Sequence, residues 1–293
     1  MARPVRRLSS EGRAVLQRAH EALERPSFAA RLSGVLGTPV QAGLSLLPPG
    51  WHARIQDATE AAIARALDVA IVSLRGDPPY VLHDQAHRTL ALATGALGGF
   101  FGLPGVLLEL PLTTAVILRS IADVAHSYGE DLEELETRLA CMQVFAVGGR
   151  SHGDDNFEIG YYEVRAALGF HLSTLAAANS ALTTHHIPGA LELVRAIAAR
   201  FGLVVSDKLA VQMVPLIGAA TGALINDVFM RYFQEVARGH FAIRDLERRY
   251  GAAAVEAAYG ELTLEAQKAA RRRASPPLAA VVVPPPGAGT KAS

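Results

Sequence analysis

The chain has 293 residues, half of them hydrophobic, with 28 basic and 28 acidic side chains and a formal net charge of zero. That much apolar material can bury a large core without disulfides or a structural metal, and the lack of a basic field argues against nucleic acid as a partner. The single cysteine, Cys141, lies in the apolar pattern LACMQVFAV, which excludes a disulfide framework within the chain and reads as a buried structural thiol.

Helical periodicity runs nearly the whole length and strand alternation is missing, so the expected class is all-α. The N-terminus carries Arg3, Arg6 and Arg7 and passes into an amphipathic helix that Ser9 or Ser10 can cap and that reaches about Glu24. No apolar h-region follows the basic residues, so no secretory signal is read and the cytoplasm is expected. A Gly/Pro-rich connector over 34–50 ends in the turn Pro48-Pro49-Gly50. A helix over 51–74 then stops at Gly76-Asp77-Pro78-Pro79.

Residues 89–120 read TLALATGALGGFFGLPGVLLELPLTTAVILRS, and between Arg88 and Arg119 the only charged residue is Glu109. Such a run has the length of a membrane span, but Gly95, Gly98, Gly99, Gly102, Pro104, Gly105 and Pro111 interrupt it. The expectation is a helical hairpin with arms over 81–101 and 106–127, turning at Leu103-Pro104-Gly105. It either packs in a dry core or dips into a membrane from one side.

Tyr128-Gly129 ends the second arm, and EDLEELETR starts a helix that stops at Gly148-Gly149. A long helix over 157–183, a turn at HHIPG, and a helix over 190–201 ending at Gly202 follow. Ser206 caps a second apolar helix that runs through VPLIGAATGALIN to about Arg238, and a last helix ends near Arg273 in the basic cluster Lys268, Arg271, Arg272, Arg273. Gly218 and Gly222 repeat the four-residue spacing of Gly95 with Gly99 and of Gly98 with Gly102, which lets helix backbones approach closely. The Pro/Gly/Ala-rich tail is too poor in packing residues to fold. The expected division is an N-terminal arm and connector over 1–50, a helical domain over 51–273 and a disordered tail over 274–293.

Catalytic patterns are missing. There is no GxxxxGK[ST], no GxGxxG after a strand and no GxSxG, so no cofactor and no nucleophile are expected. His83 and His87 share a helix face, but Asp84 stands where an HExxH zinc site needs Glu, and no third ligand has a diagnostic spacing. The candidate site residues are instead polar groups in apolar surroundings: Glu109; Arg119 with Asp123; Tyr162 and Arg165; and Lys208, Asn226 and Asp227 around the second apolar stretch. Buried charges must be paired, so these residues form interhelical tethers or line a ligand site.

The patterns TGALGGFFGLPGVLLELPLTTAVILRSIADVAHSYG, YYEVRAALG and KLAVQMVPLIGAATGALINDVFMRYFQEVARGHFAIRDLERRYG resemble the EcsC family of bacterial proteins, over roughly 53–251. The family often has Asp before the Leu/Ile-Pro pair, where this chain has Glu109. The resemblance implies a bacterial, helical, membrane-associated protein and supplies no active site. The family's namesake is encoded beside an ABC-type exporter implicated in protein secretion.

The expected function is a non-enzymatic protein, peripheral to the inner face of the plasma membrane or holding lipid-like apolar ligands, linked to transport or secretion. An anionic membrane surface or lipid is the expected partner, attracted by the basic clusters. Two other classes stay open: an enzyme with a polar pocket around Glu109, Arg119, Asp123 and Arg165, and an adaptor or cargo protein that docks a protein partner through its tail.

Overall fold

The computed structural model describes residues 7–24, 27–37, 40–72, 102–149, 160–177, 189–212 and 219–274. These residues form ten helices and no strand: α1 (Ser10–Glu24), α2 (Phe28–Leu36), α3 (Val40–Leu44), α4 (Trp51–Val72), α5 (Gly102–Ser127), α6 (Leu135–Val147), α7 (Tyr161–Ala177), α8 (Ala190–Gln212), α9 (Ala219–Tyr250) and α10 (Ala252–Ala274). The fold is all-α, as the periodicity requires. The first hairpin arm, His83 and His87, Gly218 and the tail lie outside the described residues.

The start of α1 is legible in the sequence: the Gly12 amide donates to Ser9 Oγ at 3.1 Å, an N-cap that satisfies one of the unpaired first-turn amides. The connector is not the irregular segment expected, because it holds the end of α2 and all of α3. Phe28, Ala29 and Leu32 of α2 and Val40 of α3 are buried, and that burial recruits a glycine-containing stretch into helix that local composition disfavours.

Three further boundaries differ from expectation. Leu103-Pro104-Gly105 is not a turn but lies in the first turns of α5. Proline is at home there, since its missing N–H would find no helical partner. Gly202 and Ser206 do not divide α8. Gly202 faces α4 from within α8, where an added Cβ would make ordinary contact with Gln56 Oε1 at 3.4 Å. Finally, α9 runs past Arg238 to Tyr250, where Gly251 at φ 93° ends it.

The core centres on α6, in which every residue from Thr137 to Val147 is buried. Apart from Thr137, Arg138 and Gln143 these buried residues are apolar, and a helix covered on every side has no solvent face to offer. Its Phe145 meets Phe201 of α8 at 5.0 Å and Phe233 of α9 at 5.5 Å between ring centroids, and Phe28 of α2 meets Phe229 at 5.2 Å. The first and last of these are edge-to-face and the second is tilted, geometries that add to simple area burial. Cys141 is fully buried here, and burial pushes its thiol far above its ordinary value, which keeps it protonated and unreactive.

Candidate functional site

Polar contacts along α5 and α9 fix how these two helices lie. Asn226 Nδ2 donates to Glu109 Oε1 at 2.8 Å, Gln234 Nε2 to Ser120 Oγ at 2.8 Å, and Arg244 Nε to Glu130 Oε1 at 2.9 Å. The partners advance together along both chains, so α5 and α9 run parallel. Glu109 and Asn226 are each the eighth residue of their helix, and α8 ends four residues after Lys208. The starts of α5 and α9 and the end of α8 therefore share one end of the bundle.

At that end Glu109 is the acceptor of a small buried cluster. Thr113 Oγ1, one turn on, donates to Glu109 Oε1 at 2.7 Å beside the Asn226 bond. Lys208 Nζ stands 3.8 Å from the same oxygen, with side-chain exposures of 1% for the lysine and 8% for the glutamate. That is ion-pair distance rather than hydrogen-bond distance. Nζ has no hydrogen-bond partner among the described residues, and it lies 5.0 Å from the Phe229 ring centroid. Burial pulls the Lys208 ammonium below its ordinary value, with Glu109 opposing. Asp227, next to Asn226 in sequence, pairs with Arg231 at 2.6 Å.

The other expected site residues fall elsewhere. Arg119 and Asp123 are half-buried further along α5. Arg165 makes a two-pronged pair with Glu247, at 2.8 and 3.0 Å, and Tyr162 donates to the same carboxylate at 3.1 Å. Arg165 also donates to Tyr161 Oη at 3.2 Å, and that hydroxyl lies 3.0 Å from His240 Nδ1. His240 is fully buried; burial first, then the charges of Arg165 and Arg244, drive it well below its ordinary value, so it stays neutral. Asn226 and Glu247 are 21 residues apart on α9, about 32 Å along the axis. Glu109 and Arg165 thus belong to two clusters rather than one pocket.

Sequence reasoning missed several of these groups. Glu130 accepts from Arg244, Arg248 and Thr137 and ties the segment after α5 to α9. Glu247, Arg244 and Arg248 sit in IRDLERRY, which carries no sign that its charges turn inward. Asp207, half-buried beside Lys208, has a carboxyl that burial pushes up to about 7; nothing in its local sequence marks it.

Chemically, the Arg165 and Glu130 clusters are multiply hydrogen-bonded ion pairs that tie helices together, and the buried His240 Nε2 beside the first of them has no hydrogen-bond partner among the described residues. No group of three metal-ligating side chains occurs among the described residues. The end carrying Glu109 is where α5 and α9 begin and α8 ends; Leu112 at 56% and Leu224 at 40% are exposed near it, while Phe170, Leu191 and Leu264 are exposed elsewhere. Among the described residues no helix is long and apolar enough to cross a membrane.

Comparison with curated proteins and with solved structures gives no match to this chain. The model of the EcsC protein family matches residues 13–246, so it begins within α1 rather than near residue 53, and on that match the chain belongs to the EcsC protein family.

Proposed function

We propose that this is a non-enzymatic helical protein that docks peripherally on a lipid bilayer through the end of the bundle carrying Glu109. One observation carries the reading. The parallel arrangement of α5 and α9 brings the attachment points of both glycine-patterned apolar stretches to the same end, beside the exposed Leu112 and Leu224. Exposed apolar side chains beside apolar stretches can form an interaction site, and their insertion to headgroup depth needs no spanning helix. The buried Glu109–Lys208–Asn226 cluster then holds three helix ends together where the bundle would meet lipid.

Flotation of the full chain with neutral vesicles and with vesicles containing anionic lipid tests this. The expected outcome is recovery in the floating fraction, reduced by Leu112→Glu together with Leu224→Glu while the thermal melt is retained. A chain that stays in the bottom fraction with both vesicle types would sink the proposal.

A further inference from the structure

Residues 32–51, LSGVLGTPVQAGLSLLPPGW, lead into α4 without one charged side chain. Two contacts place the end of this run along α8. Gly43 of α3 abuts the Ala210 carbonyl so closely that a Cβ there has no room. Gly202, eight residues earlier on α8, faces Gln56 Oε1 at 3.4 Å and Thr59 Oγ1 at 3.9 Å from an ideal Cβ. Between Gly43 and Trp51 the chain stays compact: the amides of Leu46, Leu47 and Trp51 donate to the carbonyls of Gly43, Leu44 and Pro48 at 3.0, 3.3 and 3.2 Å. Therefore α4 runs antiparallel to α8, and Trp51 starts it beside the last turns of α8, the end that carries Lys208. Here Leu46 is 48% exposed, Pro48, Pro49 and Gly50 are exposed, and Trp51 is half-buried. The exposed Arg54 holds its guanidinium 5.5 Å from the Trp51 ring centroid.

We propose, on the basis of bilayer docking by the Glu109 end, that Trp51 and Leu46 are the side chains that enter the lipid first. An indole has a large apolar body and one N–H donor, and such rings settle at headgroup level. A guanidinium at the edge of an uncharged apolar turn suits the phosphate layer beside the acyl chains, which favours a phospholipid surface over a protein partner as the occupant. Pro48 and Pro49 fix the backbone of the turn, so it loses little freedom when it meets that surface.

Trp51 is the single tryptophan of the chain, so tryptophan fluorescence reports on this position alone. The full chain is titrated with phosphatidylcholine vesicles, with and without phosphatidylglycerol, and the same samples are floated. The expected result is a blue shift of emission in the vesicles that float the chain, with stronger quenching by lipid brominated near the headgroup than by lipid brominated at the chain end. Leu46→Ala combined with Trp51→Ala should weaken vesicle binding about tenfold with the melt retained, and the fluorescence of the parent decides the matter even where that variant misfolds. Flotation with unshifted, unquenched emission would overturn the inference while leaving bilayer docking in place, whereas a chain that floats with neither vesicle type removes both. Equal vesicle binding by the folded double variant would also overturn it, as would a blue shift that follows protein concentration without vesicles, the mark of self-association.

Discussion

Lys208 places an ammonium where almost no water reaches it, with one carboxylate at 3.8 Å and an aromatic face as company. Its partner is better served, since Glu109 keeps hydrogen bonds from Thr113 and Asn226 when the lysine is gone. The two single substitutions should therefore differ. Glu109→Ala strands a buried cation and is expected to cost about 3–5 kcal/mol, the range for breaking a buried pair. Lys208→Met leaves a hydrogen-bonded carboxylate and should cost less. The double variant Glu109→Gln/Lys208→Met should be more stable than the sum of the two single losses implies, because no unpaired charge remains. Denaturant melts of the three variants check this, and strict additivity would show that the pair is not coupled.

Tethers between helices are the counterpart at the scale of elements. Glu130, with 4% of its side chain exposed, joins the segment after α5 to Arg244 and Arg248 of α9. Burial alone would raise its carboxyl, but the hydrogen bonds and charges of Arg244, then Arg248, outweigh it and hold the group below its ordinary 4.5. A carboxylate depressed in the folded state stabilises fully above its unfolded value, and that contribution is lost as pH falls from 4.5 through the lower folded value. At pH 7 Glu130→Gln should cost about 1.5–3 kcal/mol, the scale of a hydrogen bond to a charged group. Melts of parent and variant should converge as pH drops below 4.5; a gap that stays constant across that window would rule out the tether as the cause.

Across the whole molecule, the N-terminal helices belong to the common core. Leu16 and Leu23 of α1 and Phe28 and Leu32 of α2 are buried, α1 packs on α9 and α10, and Phe28 sits against Phe229 and Tyr232. Burying a side chain of this size is worth about 1.5–3 kcal/mol, so four of them amount to much of the roughly 5–15 kcal/mol that holds a typical domain folded. Removing residues 1–50 should abolish the cooperative thermal transition, read by circular dichroism. A truncated chain melting within a few degrees of the full chain would make α1 to α3 an appendage.

The sequence by itself determined what depends on near neighbours. Helical period, a serine cap at Ser9 or Ser10, the stops at Gly129 and Gly148, and the burial of Cys141 all follow from residues within one or two turns. It also marked Glu109, Lys208 and Asn226 as polar groups in apolar surroundings, in one set with Arg119, Asp123, Tyr162, Arg165 and Asp227, but not which of them would meet. Tertiary structure alone decided which glycines end a helix and which admit a neighbour: Gly202 reads as a stop in one dimension but lies inside α8, and the approach of α1 makes Gly239 a contact point, where a Cβ would stand 2.9 Å from Leu23 Cγ. It likewise decided that Arg165 pairs with Glu247 rather than with Glu109. Residues 82 positions apart in sequence meet only because packed helices carry them there, and no local pattern encodes a partner that far away.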